Sequence, residues 1–399
     1  MSNHARRPAP NTRAGVSNVT RRRFIGRSGV ALGGLALGPS FLAACGSDEE
    51  TLDSGSGSGD VTQDTKSLYF ASWPAYIDEE TVALFEKDTG IKFNYTEEYN
   101  DNNEYFAKIQ PLLSKGRAID PDIIAPTFWM AGRLIGLDWV QKLPLDKIPN
   151  ASNLNDNLVD PTWDPTGEYT LPWQSGFAGI AYNLETTGRE LTSMDDLWAP
   201  EFKGKIGVLS EMRDTLGLIA KSLDIDISKP TAKSLQPALD LLAEKVDSGQ
   251  IRSFTGNDYM DDLSSGSFAA CIGWSGDIAQ LSLDNPNAKF AIPESGGTLW
   301  SDTMVIPTGA DGVDAAAEFM NYVYDPVNAA RIAAYVQYVS PVKGVQDELR
   351  KMGGDSAALA DNVLLFPSEE SSKNLSSFGQ LSDEDEAALD AAFSKIQGN

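Results

Sequence analysis

Residues 67–95 read SLYFASWPAYIDEETVALFEKDTGIKFNY, and this stretch decides the fold class. Ser67 to Ala71 is a short, mostly apolar run that predicts a strand, followed by a turn around Trp73-Pro74. Asp78 is placed to cap a helix in which Val82 and Phe85 share a face, and Gly90 to end it. Ile91, Phe93 and Tyr95 alternate as the next strand. A helix over 103–114 follows, which Pro111 is expected to kink or end early, and then a short strand over 122–125. Strand, helix, strand, helix, strand is the order of a parallel sheet with helices on both faces.

The alternation continues toward the C-terminus. Strands are expected over 177–182, 205–209, 269–274, 290–292 and 304–306, and helices over 231–246 and from Ser275 onward. Asp314 is expected to cap a helix running to Tyr324, Pro326 to open another, and a last helix spans 383–396. No period of repeat-protein length recurs, which excludes solenoids and propellers. The reading is an α/β fold in two lobes.

Toward the N-terminus the chemistry changes. Of the 32 basic residues, seven arginines and no lysine fall in residues 1–44, together with His4 and none of the 57 acidic residues. Thr20-Arg21-Arg22-Arg23-Phe24-Ile25 matches a twin-arginine export signal. The apolar run that follows, about 14 residues from Gly29, is too short for a membrane span, which needs about 20. It closes on Leu42-Ala43-Ala44-Cys45, which resembles a bacterial lipobox. That likeness implies cleavage before Cys45 and a lipid on its sulfur. Residues 45–66 read as a flexible acidic Ser/Gly tether. Cys271, inside an apolar run, reads as a small buried hydrophobe.

Without the leader the chain is more acidic than the whole, whose net charge is −25, so binding to a phosphate backbone is excluded. A body without histidine also excludes Ser-His-Asp and Cys-His catalysis and histidine-ligated metals. Open α/β sheets bind ligands at the carboxyl ends of their strands. The residues there are of two kinds. Trp73 and Tyr76 follow the first strand; Thr127 and Trp129 the third; Glu211 and Asp214 the strand ending near Leu209. Trp274 and Asp277 follow Ile272, straddling a Ser-Gly bend. Trp300 and Asp302 lie between two strands, two apart, so an extended backbone points both to one face. Tyr338 sits near a late helix end. Carboxylates among large aromatics suit an organic cation, because the acid supplies counter-charge and a ring face adds about 0.5–2 kcal/mol. The remaining tryptophans, Trp139, Trp163, Trp173 and Trp198, read as core.

Several stretches carry a family likeness: 70–77 (FASWPAYI), 85–91 (FEKDTGI), 122–127 (DIIAPT), 196–204 (DLWAPEFKG), 272–277 (IGWSGD) and 296–302 (GGTLWSD). Over 68–396 the chain resembles the spermidine/putrescine-binding proteins of bacterial ABC importers. The resemblance implies a type II periplasmic-binding-protein fold with crossover hinge segments. It assigns 67–175 and 301–338 to lobe 1, and 176–300 and 339–399 to lobe 2. It makes Trp73, Tyr76, Thr127 and Trp129 first-lobe cleft residues, Trp274 and Asp277 second-lobe contacts, and Asp302 the ammonium partner beside Trp300. Tyr338 matches a family aromatic, and Glu211 and Asp214 an acidic loop. Pro74 stands where the family carries Thr or Ser, and a late polar position falls near Ser377-Phe378.

The expectation is an extracytoplasmic, lipid-anchored receptor, acting as a monomer without cofactor or metal and without catalysis, that hands a polyamine to a membrane permease. Two rivals stand beside it. One is a receptor for another organic cation or for Fe³⁺, with Tyr335 and Tyr338 as tyrosinate ligands. The other is a secreted glycoside hydrolase with paired carboxylates.

Overall fold

The computed structural model describes residues 67–158 and 163–398. The basic leader, Cys45 and the acidic tether lie outside the described residues. Among the described residues no helix is long and apolar enough to cross a membrane.

Strands β1 (Ser67–Ser72), β2 (Lys92–Glu97) and β3 (Ile123–Ile124) form a parallel sheet in the order β2-β1-β3. Between β1 and β2 lies helix Glu79–Thr89, whose start and stop follow from two residues. Asp78 accepts the Thr81 N–H at 2.7 Å, and Gly90, at φ 74°, closes the last turn. Helix Asn102–Leu113 runs through Pro111 instead of ending early. Pro111 sits in the last turn, where its missing N–H removes only the bond to the Ala107 carbonyl. A short strand, β4 (Val140–Gln141), follows helix Phe128–Gly136.

The second sheet is mixed. It contains β5 (Leu171–Asn183), β6 (Ile206–Leu209), β7 (Ile251–Thr255), β8 (Ala270–Trp274), β9 (Ala288–Ala291) and β10 (Gly297–Met304). After β11 (Ile306–Pro307), which pairs with β4, β12 (Leu375–Ser377) completes the order β12-β10-β5-β8-β6-β7, with β9 on β5. A first correction concerns the segment of Trp300 and Asp302, which the sequence reading sets between two strands. Residues 297–302 belong to β10 instead. Gly297 is there for close approach, since a Cβ would meet the Ala178 carbonyl at 2.8 Å. A second correction concerns helix Val313–Val323, which Gly312 precedes as cap; Asp314 lies in its first turn and reaches Lys147 at 2.6 Å.

Two hydrophobic cores result. The first gathers Leu68, Phe70, Phe85, Ile123, Ile124 and Phe319; the second gathers Ile180, Val208, Leu216, Phe268 and Ile272. Burying a side chain of this size contributes about 1.5–3 kcal/mol each. The antiparallel pair β5–β10 runs through both, Leu171 and Trp173 packing in the first core and Ala178 and Ile180 in the second. These strands are the crossovers. The assignment of 339–399 to the second lobe needs correction in its first part: Val342, Val345, Leu349 and Ala360 pack in the first core, and only Phe378, Leu381, Leu389 and Phe393 in the second. Trp173 is buried, and Trp139, Trp163 and Trp198 pack half-buried against the cores. Cys271 is fully buried in the second core, and burial pushes its thiol up out of the reactive range.

Candidate functional site

A cavity opens where the two cores face each other. Ten of the residues singled out from the sequence line it: Trp73, Tyr76, Thr127, Trp129, Glu211, Asp214, Trp274, Trp300, Asp302 and Tyr338. They come from six separate places in the chain and meet because β5 and β10 carry the chain between the cores.

From the first lobe, the turn after β1 delivers Trp73, whose indole N–H donates to the Ala125 carbonyl at 2.8 Å. Three residues on, the Tyr76 hydroxyl donates to Asp302 Oδ2 at 2.9 Å. Thr127, at the start of helix Phe128–Gly136, donates its hydroxyl to Asp302 Oδ1 at 2.7 Å and accepts from the Asn102 amide at 2.8 Å. Both oxygens of Asp302 are therefore held by neutral donors, and the residue is 3% exposed. Burial pushes its carboxyl up to about 7; the Thr127 and Tyr76 hydroxyls pull it back, and Asp214 adds to the rise.

From the second lobe, Asp214 Oδ2 accepts the Trp274 indole N–H at 2.8 Å and Oδ1 accepts the Thr298 hydroxyl at 2.6 Å. Burial raises this carboxyl too, against the pull of those two bonds and of Arg213. Glu211 caps helix Met212–Ser222 through the Arg213 N–H at 3.3 Å. Burial raises Glu211, with the Arg213 charge opposing and Asp101 and Asp214 reinforcing the shift.

The aromatic wall is packed edge to face. Tyr338 lies 5.1 Å from Trp300 and 5.6 Å from Tyr76, centroid to centroid. Two glycines receive these rings. A Cβ at Gly176 would meet Trp300 Cζ2 at 2.5 Å, and one at Gly276 would meet Tyr338 Cγ at 2.5 Å.

Asp277 departs from the sequence expectation. The Ser-Gly bend is the first turn of helix Ser275–Asp284, and it turns Asp277 away from the cavity wall. There it accepts the Tyr338 hydroxyl at 3.0 Å, the Tyr259 hydroxyl at 3.1 Å and the Asn257 amide at 3.1 Å. Trp129 does line the cavity, but the Arg213 guanidinium stands 3.6 Å from its ring centroid. Arg213, Asp101 and Asn102 are lining residues that the sequence reading did not single out. A search for acids and aromatics after strands passes over a cation lying between two acids. The polar position expected near Ser377-Phe378 is the Phe378 ring.

The iron-type rival loses its ligand pair: Tyr338 is on the cavity wall, whereas Tyr335 is 38% exposed and is not among the lining residues. Among the described residues no group of three or more His, Cys, Asp or Glu is placed to hold a metal.

Buried carboxylates held by hydroxyl and indole donors, set among ring faces in a cavity between two lobes, define a receptor for a small solute. The chain belongs to the bacterial extracellular solute-binding protein family, whose profile matches residues 80–367. It is 24% identical over 312 residues to the spermidine/putrescine-binding periplasmic protein of Escherichia coli (strain K12), covering 78% of this chain and 86% of that protein. It is 28% identical over 329 residues to the putrescine-binding periplasmic protein PotF of the same organism, covering 77% and 85%. In fold it is similar to the spermidine/putrescine ABC transporter substrate-binding protein PotD from Streptococcus pneumoniae. The TM-score there is 0.69, with 24% identity, over 83% of this chain and 98% of that one.

Proposed function

We propose that this protein is an extracytoplasmic receptor that captures a polyamine, putrescine or spermidine, between its lobes, delivers it to an ABC permease, and performs no chemistry. The observation that carries the reading is Asp302: a carboxylate nine-tenths buried or more, held by the Tyr76 and Thr127 hydroxyls, bordering an aromatic cavity. Such a group gains most from a ligand that brings positive charge, because an unpaired buried charge costs several kcal/mol. Asp214 repeats the arrangement on the other lobe, with Trp274 and Thr298 as donors. The names of the relatives point the same way.

The mechanism we infer is capture by closure. Tyr76 and Thr127 belong to one lobe, Asp214 and Trp274 to the other, so a ligand touching both sets stabilises the closed form more than the open one. A lipid at Cys45 and the tether over 45–66 would keep the receptor, as a monomer, near its permease.

Thermal denaturation of the purified, ligand-free protein tests the reading. Putrescine or spermidine at about 100 times its Kd stabilises the folded state by about 2.7 kcal/mol, which raises the melting temperature by several degrees. A folded protein whose melting temperature no polyamine raises would overturn the reading. A rise with quaternary amines alone would transfer it to the other organic-cation class.

A further inference from the structure

The turn that delivers Trp73 and Tyr76 to the cavity is strained at its centre. After Pro74, Ala75 takes φ 55°, in the left-handed region where a β-carbon is crowded and glycine is the usual occupant. Ala75 is buried between the two cavity residues that it connects. The next residue, Tyr76, sets its hydroxyl 2.9 Å from Asp302 Oδ2. Any shift of the turn is therefore a shift of a donor to the carboxylate that the ligand needs.

The neighbouring strand holds this turn from the side. β1 and β2 pair with Ser72 opposite Glu97, so the end of β2 lies beside the chain as it leaves β1. Tyr95 and Glu97, two apart on β2, share a face of the strand. Tyr95 donates its hydroxyl to the Trp73 carbonyl at 2.6 Å, and Glu97 Oε1 accepts the Ala75 N–H at 2.7 Å. A carboxylate on a backbone N–H makes one of the stronger hydrogen bonds, and this one falls on the strained residue itself. Glu97 is exposed and is not among the residues that line the cavity.

We propose that Glu97 is a positioning residue: by holding the Ala75 N–H it locks the strained turn, and so keeps Tyr76 on Asp302 and Trp73 in the cleft before a ligand arrives. The inference rests on the polyamine reading and adds to it a residue outside the cavity. Without this bond the turn relaxes toward the negative φ that alanine prefers, which carries Tyr76 off the carboxylate. The ligand must then reorder the turn as it binds, at the expense of affinity.

Calorimetric titration with putrescine tests this on the wild type, Glu97→Ala, Glu97→Gln, Ala75→Gly and the double variant Ala75→Gly/Glu97→Ala. Because Glu97 is exposed, its substitution leaves both cores intact, and melting curves verify that each variant is folded. Glu97→Ala should weaken binding at least about fivefold, the scale of one lost hydrogen bond to a charged group. Glu97→Gln, which keeps an acceptor oxygen without the charge, should stay within about threefold of wild type. Glycine adopts positive φ without strain, so in the Ala75→Gly background the Glu97→Ala change should weaken binding by less than about twofold. An acid that acted only by attracting the cation would give the opposite pattern, with Gln as damaging as Ala and the same loss in both backgrounds. Either of those results, or a Glu97→Ala loss below about fivefold, would overturn the inference while leaving the receptor reading intact. A wild type that binds no polyamine would overturn both.

Discussion

Asp302 and Asp277 are alike in nearly every local respect. Each is buried, at 3% and 1% exposure, and each accepts from tyrosine hydroxyls. Each follows a strand-borne tryptophan by two or three residues. They differ in what lies in front of them. Asp302 borders the cavity, whereas Asp277 lies behind Tyr338 and holds that ring in the wall. Burial and hydroxyl partners therefore do not distinguish a ligand-binding acid from a structural one. The position of the empty space does.

The largest expected effect separates the two. Asp302→Asn should weaken polyamine binding about 100-fold or more, because a desolvated charge pair is lost from one side, and should leave folding intact. Comparable affinities for wild type and variant would remove Asp302 from the site. Asp277→Asn should do the opposite. Its amide turns N–H groups toward donors from Tyr259, Tyr338 and Asn257, so stability should fall by about 1–3 kcal/mol with a smaller loss of affinity. A variant as stable as wild type would show that the buried cluster does not hold the wall.

The pH response sharpens the contrast. The Asp302 carboxyl is raised to about 7 in the folded protein, above the roughly 3.9 of an unfolded aspartate. Its protonation therefore contributes stability that is fully present below about pH 4 and is lost as pH rises through about 7. The melting temperature of the ligand-free protein should fall more steeply from about pH 5 to 8 in wild type than in Asp302→Asn. The rise produced by putrescine should grow over the same interval. Parallel slopes in the two proteins would contradict the assigned burial. The smallest effect is expected at Asp196, which closes a capping box with Ser193 and pairs with Arg189 at 2.6 Å, on no cavity wall. Asp196→Asn should leave ligand affinity unchanged within about twofold; a large loss would mean that binding follows general acidity instead of particular sites.

Much of this arrangement is legible in the sequence because it rests on short-range rules. Asp78 and Gly90 bound the first helix, period-two alternation marks β2, and acids and aromatics stand just after strands. What escapes is decided by distant parts of the chain. The segment of Trp300 and Asp302 reads as lying between two strands, yet the glycine at 297 opens β10 and answers the approach of Ala178, on a strand more than a hundred residues away. The direction of Asp277 depends on Tyr259 and Tyr338 rather than on the bend beside it. Arg213 reads as one charge between two acids, and only Trp129 and Glu386, brought from either side, make it part of the cleft. The return of 342–360 to the first core has the same origin, since an amphipathic helix does not state which of two cores it covers.

The most direct test of the central claim is a crystal structure of the protein with putrescine bound. The account predicts one ligand between the lobes, with one nitrogen about 3 Å from Asp302 and the other at the same range from Asp214, its methylenes against the indoles of Trp274 and Trp300. A ligand bound elsewhere, or one in the cavity that touches neither carboxylate, would contradict it.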